Sequence, residues 1–242
     1  MAAHPLAFDP GEAAEFLAKN DPRLAQVIRQ AAPFEIRPGA EETPYHSLLR
    51  AIIYQSISGK AAATIFGRVK ALSGDGRAPL PEEILRLRAP VLRRAGLSGA
   101  KVEAVKDLAR KTVAGVVPSL VQAHEMSDGE LVERLIQVRG VGVWTVEMLL
   151  IFRLGRPDVL PVHDFGVQKG FALTYGKKRM PTPKELEAFG ERWRPYRTVA
   201  SWYLWRAVEL AGKDARKINK NSGKKKPNAK RGTRKSKTAR LA

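Results

Sequence analysis

Cysteine is absent from all 242 residues of the chain. Its absence excludes disulfide bonds, thiolate zinc sites, iron–sulfur clusters held by thiolates and a cysteine nucleophile. No apolar run approaches the roughly 18 residues of a membrane span, and the N-terminus lacks the basic-then-apolar order of a signal peptide. We therefore expect an intracellular, soluble protein with no membrane partner.

Acidic residues are missing from the C-terminal stretch 216–242, which holds twelve Lys or Arg out of a formal net charge of +19. Aliphatic residues are also scarce from about Lys213 onward, so little apolar surface is left to offset the entropy of ordering. The sequence predicts a folded domain at 1–214 and a basic disordered tail at 215–242. So large a positive charge indicates an anionic partner, either nucleic acid or an acidic membrane.

Apolar residues recur at helical rather than alternating spacing, as in Leu48, Leu49, Ile52 and Ile53. Hydrophobic residues make up 44% of the chain, enough for a real core. We predict an all-α protein. Beyond the region of Leu48, helices are expected at about 81–95, 99–114, 128–138, 143–154, 164–175, 182–193 and 196–211.

Two helix starts carry a specific local signal. Ser127 with Glu130, and Thr182 with Glu185, have the spacing of a capping box, in which each side chain binds the other residue's backbone N–H. Segments 73–81 and 155–161 are rich in Gly and Pro and are predicted to be loops.

Segment 131–150 reads LVERLIQVRGVGVWTVEMLL, two apolar helices joined by a short glycine-containing turn. Gly140 and Gly142 permit positive φ and close backbone approach, so the turn can present N–H groups and a helix N-terminus to an anion such as a DNA phosphate. The same turn can also simply join two packed helices. Trp144 and Thr145 follow it at once.

Asp164 lies in LPVHDFGVQKG, residues 160–170, and follows Gly140 by 24 positions. An acid at the end of a Pro-bounded loop and just before a helix has an ordinary explanation, because Asp is a preferred N-cap. It can also be a functional carboxylate held at the rim of a cleft.

Together, the hairpin and Asp164 resemble the helix-hairpin-helix DNA glycosylase superfamily, in which a Gly- and Pro-rich loop with an aspartate follows the hairpin. The most similar family is that of 3-methyladenine DNA glycosylase II. Three more segments resemble it in the family's order and extend the resemblance over about 45–210: IIYQSISGKAAATIFGR at 52–68, LRRAGLSGAKVEAVKDLA at 92–109 and WRPYRTVASWYLWR at 193–206.

The resemblance implies a two-lobed helical fold with a cleft between the lobes. One lobe would span about 46–155, and the other would combine the N-terminal segment with about 164–212. It further implies a monomer that acts on double-stranded DNA containing damaged bases, in the cytoplasm and with the nucleoid if the source is bacterial.

The activity implied is that of a monofunctional glycosylase of base excision repair. Such an enzyme flips alkylated purines such as 3-methyladenine out of the duplex and hydrolyses the N-glycosidic bond, leaving an abasic site. The catalytic carboxylate would be Asp164, opposing the positive charge on the sugar. Relatives with lyase activity carry lysine where this chain has Trp144, which has no amine to form a Schiff base.

The resemblance also assigns the base pocket and the DNA contacts. Trp144, Phe165 and Trp205 would line the pocket, where aromatic faces attract electron-poor alkylated purines. Ser56 holds the position whose side chain fills the gap left by the flipped base, and many relatives have a larger residue there. DNA contacts are expected at Gln55, Ser56, Arg139, Gly140, Val141, Gly142 and Thr145.

No cofactor is expected to be required, although the family's hairpin commonly holds a Na⁺ or K⁺ ion. By position its ligands would be the backbone carbonyls of Ile136, Val138 and Gly140. His163 adjoins Asp164 and is either structural or a hydrogen-bond partner of that carboxylate.

Two alternatives stay open from the residues. One is a glycosylase for deaminated or oxidised bases. The other, of a different class, is a noncatalytic helix-hairpin-helix protein that keeps the hairpin as a clamp on the DNA backbone.

Overall fold

The structure is a computed structural model that describes residues 6–38 and 43–222, with side chains described as far as Lys213. No strand occurs in these residues, and the prediction of an all-α protein is confirmed. The helices are α1 (Pro10–Asn20), α2 (Pro22–Gln30), α3 (Pro44–Tyr54), α4 (Gly59–Lys70), α5 (Pro81–Arg86), α6 (Ala89–Arg94), α7 (Gly99–Val113), α8 (Leu120–Glu125), α9 (Asp128–Leu135), α10 (Val143–Phe152), α11 (Phe165–Thr174), α12 (Pro183–Gly190) and α13 (Arg197–Ser222).

Most helices begin at a side-chain cap that the sequence encodes locally. Asp9 and Asp21 accept backbone N–H groups at the starts of α1 and α2, and a proline follows each of them at the first helical position, where no N–H is needed. Both predicted capping boxes are formed, by Ser127 at α9 and Thr182 at α12. These caps satisfy N–H groups that have no partner within the helix.

Two predicted boundaries were wrong. The helix expected at 81–95 is two helices, α5 and α6, because Pro90 has no N–H to donate and its ring blocks a continuous helix. The disordered tail was expected to begin at residue 215, but α13 continues to Ser222. Lys, Arg and Ala have high helix propensity, which lets the backbone extend the helix. The rest of the predicted tail, 223–242, lies outside the described residues.

The helices pack in two groups. Helix α13 packs against α11, α1 and α2, whereas α3 packs against α4, α7 and α10, and α7 also contacts α5 and α6. The first group therefore combines the N-terminal helices with those after Asp164; the residue bounds of the two predicted lobes remain a prediction. No helix in the described part of the chain is both long and apolar enough to cross a membrane.

Helices α11 and α13 approach each other unusually closely. A Cβ atom built on Gly170 of α11 would lie 2.0 Å from the carbonyl oxygen of Leu204 in α13, so no side chain fits there. This contact brings Trp205, the next residue of α13, towards the N-terminus of α11, where Asp164 lies.

Candidate active site

The carboxylate of Asp164 accepts three hydrogen bonds. Its Oδ1 atom accepts the backbone N–H of Val167 at 2.8 Å, which caps α11, and the indole N–H of Trp205 at 2.8 Å. Its Oδ2 atom accepts the indole N–H of Trp144 at 2.8 Å. Asp164 is thus both the N-cap that its position suggests and the meeting point of two tryptophans from different helices.

Local structure explains how the two indoles reach one carboxylate. Trp144 occupies the first turn of α10 directly after the hairpin, and Trp205 lies on α13 beside the close contact at Gly170. Gly166 in the first turn of α11 leaves room for the second indole, since a Cβ there would lie 2.7 Å from Cδ1 of Trp205. The ring of Trp205 also stacks on Phe152, with centroids 5.7 Å apart and planes 20° apart.

A cavity of about 470 Å³ opens beside Trp144, between α3 and α10. That volume falls within the range of small-molecule sites. Its wall is formed by Ser47, Leu48, Arg50, Ala51, Tyr54, Gln55, Ser56, Trp144, Thr145, Met148, Leu149, Phe152 and Arg153. An aromatic ring system entering here would find both apolar contact area and aromatic faces.

Tyr54, Met148 and Phe152 are among the wall residues that the sequence analysis did not assign to the site. Met148 and Phe152 follow Trp144 at successive intervals of four, so one face of α10 lines the cavity, and this spacing was a signal that could have found them. Tyr54 ends α3 directly before Gln55, and the guanidinium of Arg50 lies 4.4 Å from its ring centroid.

Glu147 is a second carboxyl group near Asp164, also missed. Burial, together with the negative charge of Asp164, raises the pKa of Glu147 to about 7. Its Oε2 atom is buried and has no hydrogen-bond partner among the residues that the structure describes. The site therefore pairs a well-bonded carboxylate with a carboxyl group that is largely protonated below neutral pH.

Phe165 and His163 flank Asp164 and are both exposed. The Phe165 side chain is 64% exposed, which argues against a role in filling the core, and the Lys169 ammonium lies 5.9 Å from its ring centroid. Within the described part of the chain, no hydrogen bond joins His163 to Asp164. A direct role for His163 therefore has no support from the geometry.

The turn between α9 and α10 has the geometry that its glycines suggested. Gly140 has φ +80°, and Gly142 occupies the N-cap of α10, where no side chain caps the helix. Arg139 is exposed beside them. Val141 and Thr145 are buried, so a DNA contact at either would have to come from the backbone. The start of α10 is exposed at Gly142 and Val143; in the described residues the N–H groups of Val143 and Trp144 make no hydrogen bond, whereas that of Thr145 bonds to the Gly142 carbonyl at 2.9 Å.

Gln55 and Ser56 form a second turn next to the hairpin. The side-chain amide of Gln55 donates a hydrogen bond to the carbonyl of Gly140 at 2.8 Å, across 85 positions of sequence. Ser56 is exposed and has φ +58°, the left-handed conformation that non-glycine residues rarely adopt. The structure therefore places these two predicted DNA-contact residues together with the hairpin.

Two of the three predicted cation ligands are carbonyls that already accept hydrogen bonds. The Val138 carbonyl accepts the Val141 N–H at 3.0 Å, and the Gly140 carbonyl accepts the Gln55 amide. Each carbonyl oxygen has a second lone pair, so the set still fits a monovalent cation. Ile136, the third predicted ligand, ends α9 and is exposed.

The sequence that builds this site matches a known protein family. Residues 49–195 match the model described as HhH-GPD superfamily base excision DNA repair protein. The chain belongs to this superfamily. It is also 38% identical to DNA-3-methyladenine glycosylase 1 of Schizosaccharomyces pombe over 195 residues, which cover 81% of this chain and 85% of that protein.

Solved structures of superfamily members are similar as well. A 3-methyladenine DNA glycosylase of Schizosaccharomyces pombe in complex with abasic DNA has a TM-score of 0.70 and 36% identity, covering 83% of this chain and 98% of that one. A DNA-3-methyladenine glycosidase of Bacillus halodurans has a TM-score of 0.76 and 33% identity, covering 88% and 95%. The helical fold of this chain is therefore that of the HhH-GPD superfamily.

Proposed function

We propose that this protein is a DNA glycosylase of base excision repair that hydrolyses the N-glycosidic bond of alkylated purines, such as 3-methyladenine, in double-stranded DNA. One observation carries the proposal: the carboxylate of Asp164 accepts two indole N–H groups, and one of these indoles, that of Trp144, lines a cavity of about 470 Å³. A protein that only clamps the DNA backbone needs neither feature.

The hydrogen bonds of Asp164 support Oδ2 as the oxygen that acts in the reaction. Oδ1 accepts two bonds and Oδ2 accepts one, so Oδ2 keeps a lone-pair direction for a further partner. We assign the catalytic role to this carboxylate. It stabilises the positive charge on the sugar as the bond between C1′ and the base nitrogen breaks and its electrons leave with the base. The oxygen of a water molecule then bonds to C1′ and the water releases a proton to solvent or to the departing base, giving a free base and an abasic site.

The wall of the cavity suits an electron-poor purine. Trp144, Tyr54 and Phe152 offer aromatic faces to an extruded base, and Met148 adds a polarizable apolar surface. Exposed Phe165 and the stacked Trp205 extend this aromatic surface on the side of Asp164. Two similar proteins, from Schizosaccharomyces pombe and Bacillus halodurans, are named for 3-methyladenine.

The hairpin is the proposed contact with the DNA backbone. The N–H groups at the uncapped start of α10 and the exposed Arg139 would meet a phosphate. A Na⁺ or K⁺ ion held by the carbonyls of Ile136, Val138 and Gly140 would add positive charge there. We further propose that the protein acts as a monomer in the compartment that holds the DNA.

Mass spectrometry of the bases released from methylated DNA tests the proposal. The wild type should release 3-methyladenine, while the Asp164→Asn variant should release it far more slowly. Release of only deaminated or oxidised bases from suitably damaged DNA would redirect the substrate assignment, and release of no base from any damaged DNA would refute the enzymatic one.

Trapping with borohydride tests the absence of lyase activity. Because Trp144 has no amine, no covalent complex with DNA should form at this site. Efficient trapping, together with strand cleavage that needs no added base, would contradict a purely hydrolytic enzyme.

A further inference from the structure

Helix α7 lies behind both turns that the proposed function assigns to DNA binding. It packs against α3, and its residues 101, 104, 107 and 111 recur at the spacing of one helical face. A Cβ atom built on Gly140 would meet the Cβ of Ala104 at 3.6 Å and Oε1 of Gln55 at 3.9 Å. One face of α7 therefore touches the hairpin at the point where Gln55 also reaches it.

Lys101 binds the end of α3. Its ammonium group donates hydrogen bonds to the carbonyl of Ile53 at 2.7 Å and to the carbonyl of Gln55 at 2.8 Å. Carbonyls at a helix C-terminus have no partner within the helix and carry partial negative charge, so an ammonium group is a well-matched partner. Burial lowers the pKa of Lys101 from its ordinary value.

Ser56 follows directly and has the one positive φ of a non-glycine residue in the described chain. A serine stays in this sparsely populated conformation only where the surrounding contacts hold it. Two hydrogen bonds hold the preceding residue, Gln55. The Lys101 ammonium donates to its backbone carbonyl, and its side-chain amide donates to the Gly140 carbonyl. Gln55 therefore links the turn 55–58 to both α7 and the hairpin.

The hairpin is fastened to the same helix. Asp107 accepts the backbone N–H of Arg139 at 2.8 Å and the ammonium of Lys111 at 2.9 Å. Lys111 also donates to the carbonyl of Gln137. Burial acts to raise the pKa of Asp107, but these hydrogen bonds and the nearby cations outweigh it and leave the pKa below its ordinary value. A charged carboxylate therefore holds the hairpin turn on α7.

We propose that Lys101 is a positioning residue, which fixes the turn 55–58 against the hairpin so that the two turns engage the duplex together when a nucleotide is extruded. The inference rests on the proposed function. Lys101 itself is half-buried behind the turn and contacts carbonyls of the protein. Its loss should slow base extrusion and excision, while the hairpin, held by Asp107, continues to bind the DNA backbone.

The test compares Lys101→Met with Lys106→Met. Methionine keeps much of the length of the side chain but donates no hydrogen bond. Lys106 lies on the same helix and, in the described residues, has no hydrogen bond to either turn. Its substitution therefore removes the same charge but leaves the hydrogen bonds between α7 and the turn 55–58 intact. The probe is a duplex with one 7-methylguanine beside a 2-aminopurine, whose fluorescence rises when the neighbouring base leaves the stack.

Three quantities are measured for each variant: the rate of the fluorescence rise, the single-turnover rate of excision, and the Kd for undamaged duplex. Lys101→Met should lose at least tenfold in the first two, with a Kd within about threefold of that of Lys106→Met. Equal extrusion rates in the two variants would overturn the role of Lys101. So would a Kd that worsens in parallel with the rates, because that would indicate a general loss of binding structure.

A second variant keeps the inference testable if Lys101→Met melts too low to assay. Gln55→Met removes the hydrogen bond to Gly140 and should likewise slow extrusion; a wild-type extrusion rate in this variant would overturn the inference, and because Gln55 is itself an expected DNA contact, no Kd criterion is applied to it. A wild type that neither extrudes nor excises a damaged base would contradict the proposed function. An active wild type with an equally active Lys101→Met variant would contradict the role of Lys101 alone.

Discussion

Trp144 donates its indole hydrogen to Oδ2 of Asp164, and it does so from the first turn of the helix that follows the hairpin. The turn proposed to hold a DNA phosphate and the proposed catalytic carboxylate are therefore linked through one side chain. Movement of the hairpin relative to α11 would change the geometry at the carboxylate. The first turn of α10 would therefore take part in both the proposed DNA binding and the proposed catalysis.

Replacing the indole donors one at a time tests this link. Trp144→Phe keeps an aromatic ring but leaves Oδ2 without its donor, and Trp205→Phe removes one of the two donors to Oδ1. Because each hydrogen bond orients the carboxylate, single-turnover excision of 3-methyladenine should fall about tenfold or more in each variant, roughly 1.4 kcal/mol.

Trp202→Phe is the matched control for these two variants. Its indole nitrogen is buried and has no hydrogen-bond partner in residues 6–38 and 43–213, and its ring packs on Phe34 with centroids 5.5 Å apart. The same loss of a pyrrole ring should therefore leave excision near the wild-type rate. Equal losses in all three variants would indicate a general packing effect, and the orienting role of the two donors would be wrong.

The sequence predicted what is local in this site and missed what depends on packing. The capping position of Asp164 could be predicted from the eleven residues 160–170, whereas its catalytic role was predicted only from the family resemblance. Its bond to Trp205 spans 41 positions and requires the close approach at Gly170, which periodicity does not reveal. Helices α1 and α2 were not assigned, although Asp9 and Asp21 each precede a proline, a start signal that was present.

Glu147 illustrates the other limit of sequence-based prediction. A glutamate one turn after Trp144 on an apolar helix suggests an exposed position, and nothing in the sequence indicates burial. Its raised pKa comes from tertiary structure, through burial and through the approach of Asp164 from another helix. A pKa shift of this kind can be inferred only once the fold is known, because it depends on the distance between the two carboxyl groups.

The Asp164→Asn substitution separates charge from capping. Asn caps a helix about as well as Asp, so α11 should form normally. The new amide has one oxygen in place of two, and one indole therefore loses its acceptor, which should cost about 1 kcal/mol of stability. Loss of the negative charge should slow excision on the order of a hundredfold, about 3 kcal/mol. Single-turnover rates and melting temperatures measure both effects; wild-type excision would rule out the catalytic role.

Truncation after Ser222 tests the contribution of the basic C-terminal stretch. Residues 223–242 include nine Lys or Arg and no acid. Their removal should weaken DNA binding at low salt and flatten the dependence of log Kd on log salt concentration, because fewer counterions are released from the DNA on binding. Excision at saturating enzyme should persist. An unchanged salt slope would show that this stretch does not contact DNA.

Glu147 should make the stability of the protein depend on pH. Folding raises its pKa from 4.5 to about 7, so the folded state favours the protonated form. The stabilisation associated with this group is fully present below pH 4.5 and is lost as the pH rises through 7. Glu147→Gln cannot ionise, and its melting temperature relative to the wild type should therefore rise between pH 5 and pH 8. Allowing for solvent screening, the change should be about 1–2 kcal/mol, or several degrees.

Glu187→Gln provides the control for this prediction, because it makes the same substitution at an exposed position on α12. Its melting temperature relative to the wild type should stay constant over the same pH range. Thermal unfolding at half-unit steps from pH 5 to pH 8 distinguishes the two variants. If Glu147→Gln also shifts the melting temperature by the same amount at every pH, then Glu147 does not change its ionisation on folding, and the proximity of its carboxyl group to Asp164 has no electrostatic consequence.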